Sequence, residues 1–204
     1  MITESEFILA PNCPVQVLHE RARLPRTDRT DSFAKWMRQE SQKVRALSRL
    51  LFSARQSAPA TRGEIPSSVL VELEQGQTVA DLRFEADGLA CTGDFAVISG
   101  HELRLYTVAA KAVDSARHQV GAEFTTQRGA IRADWAETLD RIAFRMLVTQ
   151  ACLLNYRVIP FLVAPCSGAI AEIEGLPTLV DRLTAGDREA EALSTKGQPL
   201  ASGS

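Results

Sequence analysis

Residues 82–98, Leu82-Arg83-Phe84-Glu85-Ala86-Asp87-Gly88-Leu89-Ala90-Cys91-Thr92-Gly93-Asp94-Phe95-Ala96-Val97-Ile98, carry the reading that decides the fold. Ala86-Asp87-Gly88 is a turn between two apolar runs, the pattern of a β-hairpin. Working outward, Val79-Asp81 and Leu82-Phe84 supply the strand before the turn, and Leu89 to Ile98 the strand after it. Ser99-Gly100-His101 turns the chain again into a strand over Leu103 to Val108, completing an antiparallel meander. On the N-terminal side, Val69, Val71 and Leu73 also alternate, which predicts a further strand ahead of a turn at Glu74-Gln75-Gly76-Gln77.

Downstream of the meander, residues 111–133 are polar and carry no clear period. Trp135, Leu139, Ile142, Met146, Leu147 and Leu153 then mark an amphipathic helix closed by Asn155 and Tyr156. Arg157 to Val163 is nearly continuous in apolar residues, as in a strand covered on both faces. A helix is expected from beyond Ser167 to about Leu183, and Ser194 to Ser204 reads as a disordered tail.

Upstream, Thr3 with Glu6 three residues on predicts a capped helix start. Pro11 and Pro14 end or turn that helix, Val15 to Glu20 can begin another, and Pro25 to Thr30 is a loop. Asp31 can cap a long helix whose apolar stripe is Phe33, Trp36, Met37, Val44, Leu47 and Leu51, with a polar slot at Glu40 and Ser41. Ser53 to Ser67 holds Pro59, Gly63 and Pro66 and reads as a loop. The expected architecture is α/β: a central mixed sheet with an antiparallel meander, flanked by helices on both faces, in one domain over residues 1–193.

Formal net charge is −2, so the chain as a whole is not a polycation built to coat nucleic acid. Charge is nevertheless uneven. Arg21 to Arg49 holds nine Lys or Arg against three Asp or Glu. Lys35, Arg38, Lys43, Arg45 and Arg49 on the long helix form the candidate nucleic-acid face, to be weighed against an ordinary solvated helix surface. Cys13, Cys91, Cys152 and Cys166 are scattered, with no metal-clip spacing, and read as buried thiols in a reducing compartment. The acidic start Met1-Ile2-Thr3-Glu4-Ser5-Glu6 is unlike a signal peptide, and no apolar run is long enough to span a bilayer, so a cytoplasmic location is expected. His19, His101 and His118 lie far apart and read as surface or turn residues. Phosphate-binding glycine loops, G-x-S-x-G and H-E-x-x-H are absent.

The order of helix, three-strand meander, long helix and buried strand resembles the restriction-endonuclease-like core of PD-(D/E)xK nucleases, in particular their RecB-like branch. Ile2 to Phe7 followed by Asn12-Cys13-Pro14 is similar to the opening of bacterial proteins carrying such a domain. Gln42 to Leu47 with Leu50-Leu51-Phe52 resembles the first core helix, and Phe84 to Leu89 with Thr92 to Ala96 resembles the strand pair bearing the metal-binding aspartate. Asp140 to Phe144 resembles the start of the helix behind the site. The likeness spans roughly Ile2 to Val163 and rests on the ordered set of motifs.

The resemblance implies a metal held by carboxylates, which lowers the pKa of an attacking water and offsets charge on the phosphate. It places the aspartate on Asp94 and the E-x-K pair on Thr107-Val108-Ala109, where both functional groups are missing. The branch's first-helix histidine falls near Gln42, and the glutamine of the later helix on Arg145, which reads either as a phosphate contact or as a surface arginine. Cys13 matches the first cysteine of iron–sulfur members, but no C-terminal trio follows, so no iron–sulfur cluster is expected. The short continuation past the core points to an accessory subunit.

Three functions follow. The leading one is a pseudo-nuclease, a catalytically inactive nuclease-fold protein that binds nucleic acid or a protein partner and needs no cofactor. The second is an active magnesium- or manganese-dependent nuclease with relocated groups, using Asp94, Lys111 and Glu40; Asp94 alone would hold a metal weakly. The third is a purely structural subunit that assembles through the meander edge or a helix face.

Overall fold

The computed structural model describes residues 2–9, 17, 21–22, 32–52, 55–56, 67–111, 124–128, 131–165 and 169–173. Their elements run β1 (Ile2–Thr3), α1 (Glu4–Leu9), α2 (Ser32–Phe52), β2 (Arg55–Gln56) and α3 (Ser67–Glu74). Then come β3 (Val79–Ala86), β4 (Leu89–Ser99), β5 (Glu102–Val108), α4 (Ala133–Cys152), β6 (Arg157–Ala164) and β7 (Ala169–Glu172). The strands form one mixed sheet in the order β2-β3-β4-β5-β6-β7, with β1 pairing in parallel beside β4. The α/β class and the antiparallel meander β3-β4-β5 stand as the sequence predicts.

The hairpin at Asp87-Gly88 has positive φ at both residues, 51° and 75°, the backbone that a tight antiparallel reversal requires. Strands β5 and β6 are parallel, with Leu105 opposite Pro160 and Tyr106 opposite Phe161, and α4 makes the crossover that parallel pairing needs. Leu82, Phe84, Leu103 and Leu105 pack on Phe144 and Val148 of α4, with Leu73 of α3 in the same cluster. Ala80, Phe95, Tyr106, Val108 and Val163 form a separate cluster with Val44 and Phe52 of α2. The Phe52 ring stacks on Phe95 at 4.7 Å.

Alternation along β3 and β4 slips at one level. Leu82 and Phe84 share a cluster, as do Cys91, Ala96 and Ile98, yet Ala80 and Phe95 lie in the other. Asp81, at φ 55°, sits within the slip on β3, and Gly93-Asp94 within it on β4. A Cβ on Gly93 would stand 2.8 Å from Leu105 Cδ1 and 3.3 Å from Phe84 Cε2, both buried. Gly93→Ala is therefore expected to lower unfolding free energy by about 1–3 kcal/mol, read from urea denaturation. Parental stability in that variant would mean that Leu105 repacks without strain.

Several expectations change. Val69 to Leu73 is part of helix α3, not a strand. Leu73 is fully buried while Val71 is exposed, and Gly76 (φ 78°) donates its N–H to Leu73 O, ending a helix as a left-handed glycine does. The chain after Ser167 enters strand β7, antiparallel to β6, where a helix is expected. In α2 the buried side is Val44, Ser48 and Phe52; Trp36 and Leu47 are exposed, so they do not share one buried stripe with Val44. Ser48 tolerates burial because its Oγ donates to Val44 O at 2.8 Å. Within the polar stretch, Phe124 is fully buried against Trp135, and Thr125 bridges Ile131. The readings on residues 10–16, 18–20, 23–31, 57–66 and 174–204, including Cys13, His19 and the tail, lie outside the described residues, as do Cys166 and His118. No helix among the described residues is long and apolar enough to cross a membrane.

Candidate functional site: a buried arginine between two carboxylates

Glu4 reaches the site through local geometry at the N-terminus. Thr3 N–H donates to Glu6 Oε2 at 2.8 Å, and Glu6 N–H approaches Thr3 Oγ1 at 3.4 Å, the reciprocal cap predicted for this start. Pairing of Ile2 with Leu89 and Thr3 with Ala90 lays the first turn of α1 beside β4. Phe7, ring to ring with Phe144 at 4.7 Å, holds α1 against α4. Glu4 thereby meets Arg141 and Arg145, one turn apart on α4.

Arg145 is the centre of the cluster and is 3% exposed, a buried residue and not a surface one. Its Nη1 donates to Asp94 Oδ2 at 2.8 Å and lies 3.3 Å from Thr107 Oγ1, while its Nε donates to Glu4 Oε2 at 2.7 Å. Asp94 is also buried. Its Oδ2 accepts the Val108 N–H at 2.9 Å, and Arg45 Nε stands 3.3 Å from Oδ1. Burial opposes ionisation of Asp94, but Arg145, Arg45 and the Val108 N–H outweigh it and hold the carboxyl below its ordinary range. Burial likewise works against the Arg145 cation, yet Asp94 and Glu4 together raise its pKa. Asp94, Thr107 and Arg145, three positions aligned by resemblance, thus converge in space.

Beside this cluster opens a cleft of about 390 Å3 whose described lining includes Arg45, Arg83, Arg141, Arg145 and, as the one acid among the described residues, Glu4. Arg83 also pairs with Glu85, and Arg141 with Glu137. Cys91 lines the cleft too, but burial pushes its thiol up to about 12, which keeps it in the protonated thiol form at neutral pH. Cys91 and Cys152 are both free thiols.

The other candidates lie apart. Lys111 follows the end of β5; its Nζ bonds to Asp134 O and lies 4.8 Å from the Trp135 ring centroid, roughly 16 Å along α4 from Arg145. Glu40 pairs with Lys43 at 2.7 Å on the outer flank of α2, not on an inward stripe. Arg45 and Arg49, one turn apart, pair with Asp94 and Asp81 on neighbouring strands. Lys35 and Gln42 are exposed, and Arg38 lies on α2, its side chain outside the described set. The proposed basic face is therefore split: of its described side chains, Arg45 enters the cleft.

Glu4 is the carboxylate that sequence reasoning misses; its only signal is its place in the capped first turn. Metal fits this arrangement poorly. Both Asp94 oxygens and both Glu4 oxygens are engaged by arginine or backbone donors, and the described residues contain no group of three His, Cys, Asp or Glu suited to a metal ion.

The chain is thus a mixed-sheet α/β protein with a buried arginine–carboxylate cluster under a basic cleft. It matches no protein family and no curated protein. A solved structure described as "Crystal structure of SSO0001" aligns with 98% of this chain and 78% of that one, at 12% identity and a TM-score of 0.35, too low to carry an argument.

Proposed function

We propose that this chain is a non-catalytic nucleic-acid-binding protein, an accessory to other components, that grips the phosphate backbone in its arginine-lined cleft. The observation that carries this reading is the Arg145 guanidinium, which bonds to Asp94 and Glu4 at once. In a metal-dependent site the cation between carboxylates is exchangeable and activates water. Here the cation is covalently part of α4, and displacing it would leave the buried Asp94 carboxylate without its nearest cation. The positions of Lys111 and Glu40 weigh against a rebuilt nuclease centre at Asp94. Arg45, Arg83 and Arg141 are partly exposed around the opening and can offer planar, multi-donor contacts to phosphate oxygens.

The test is fluorescence anisotropy of labelled single- and double-stranded oligonucleotides with manganese present, with intact label length read on a gel. The expected result is salt-dependent binding without cleavage. In the triple variant Arg45→Gln, Arg83→Gln, Arg141→Gln, affinity should fall, and the slope of log K against log salt should drop by roughly two to three units. An unchanged slope would exclude the cleft. Cleavage abolished by Asp94→Ala would overturn the non-catalytic reading.

A further inference from the structure

The outer flank of α2 carries a pattern separate from the cleft. Trp36, Glu40, Lys43, Leu47 and Leu50 follow one another at steps of four, three, four and three residues. That spacing is the seam of a two-helix coiled coil. It runs beside the buried stripe of Val44, Ser48 and Phe52, and on the opposite flank from Arg45 and Arg49. Trp36, Leu47 and Leu50 are 52%, 59% and 77% exposed, an unusual concentration of large apolar surface on one helix.

We propose that this seam pairs with the same seam of a second copy of the chain, antiparallel about a two-fold axis. The choice of occupant comes from the polar residues at its middle. In an antiparallel seam, Trp36 of one helix lies level with Leu47 of the other. That register sets Glu40 opposite Lys43 and, by symmetry, Lys43 opposite Glu40. Apolar ends and a doubly complementary centre therefore coincide in one alignment. A parallel pair in register would oppose Glu40 to Glu40 and Lys43 to Lys43, which is repulsive. Within one chain Glu40 and Lys43 already attract at 2.7 Å, so both are held on the seam side of the helix. Leu50 extends the apolar contact toward the opposite helix's N-terminal turn. Three apolar side chains per helix make a small interface, so a reversible dimer of micromolar affinity is expected.

The test is sedimentation equilibrium of the full chain over a concentration series. Wild type should move from the 22.3 kDa monomer to twice that mass as concentration rises. Lys43→Glu alone and Glu40→Lys alone each place like charges across the centre and should weaken self-association at least about tenfold. An equimolar mixture of the two should regain the dimer, since each supplies the charge that the other lacks. Both side chains are solvent-facing, and far-UV circular dichroism verifies that the variants remain folded. A wild type that stays monomeric at every concentration would overturn the proposal. So would a dimer indifferent to both reversals, or a mixture that does not associate.

Discussion

Arg145→Met is expected to lower the unfolding free energy by roughly 3–5 kcal/mol, the cost of breaking a buried ion pair from one side. Methionine keeps much of the aliphatic volume, so the loss is electrostatic more than steric. The variant strips Asp94 of its contact at 2.8 Å and Glu4 of one at 2.7 Å, leaving Asp94 to Arg45 and the Val108 N–H. The pH dependence gives the expectation its sign. In the wild type the Asp94 pKa is depressed in the native state, so its contribution is present above the unfolded value of about 3.9 and is lost as pH falls through the native value. Without Arg145 the burial effect has less opposing it and the native pKa of Asp94 rises. The variant's penalty is then largest at neutral pH and shrinks on acidification, when the stranded carboxylate can protonate. Urea denaturation from pH 7 to pH 4 should show the two stability curves converging. Arg145→Met combined with Asp94→Asn should recover part of the loss, because an unpaired buried charge is then no longer left behind. Parallel curves with a small, constant offset would show that the cluster does not couple folding to charge.

The cluster also marks how far the amino-acid sequence could be read. The meander was legible because Asp87-Gly88 and Ser99-Gly100-His101 separate runs of period two, and local chemistry alone sets such turns. The buried strand β6 was legible because its burial leaves no polar alternation. Helix α3 was not: Val69, Val71 and Leu73 satisfy a period of two, whereas the tertiary contact uses Leu70 and Leu73 at helical spacing. Its glycine, Gly76, fits a strand turn and a helix end equally well until packing decides. Arg145 shows the same limit in the site. The sequence reads Arg145 either as a phosphate contact or as a surface arginine, whereas it is buried against Asp94, Thr107 and Glu4, and Glu4 arrives from 141 positions away through the pairing of β1 with β4. Nothing near Arg145 in the chain announces that partner. Likewise Glu40 and Lys111 looked plausible by spacing, yet rotation about α2 and the end of β5 carry them elsewhere.

Phe144→Ala is expected to cost about 3–5 kcal/mol, and its consequences should extend to the site. Phe144 is 1% exposed, belongs to the main core cluster, and touches Phe7 of α1 at 4.7 Å between ring centroids. Removing the ring leaves a cavity at the joint that holds α1 against α4. The ties of α1 that remain then include the short β1 pairing, the ion pairs of Glu4 with Arg141 and Arg145, and that of Glu6 with Arg21. Ion pairs whose partners are free to drift lose geometry before they lose charge, so opening of α1 should precede global unfolding. Native-state hydrogen exchange should show amides of Glu4 to Leu9 opening at lower free energy than those of β4 and β5. Phe124→Ala provides the comparison. Phe124 is also fully buried, but its ring packs on Trp135 in the separate cluster beneath residues 139–143. Its loss should destabilise the fold by a similar amount while leaving exchange in α1 in step with the rest of the protein. If both variants accelerated α1 equally, the Phe7–Phe144 contact would not be what positions Glu4, and the capped first turn with its strand pairing would have to do so alone.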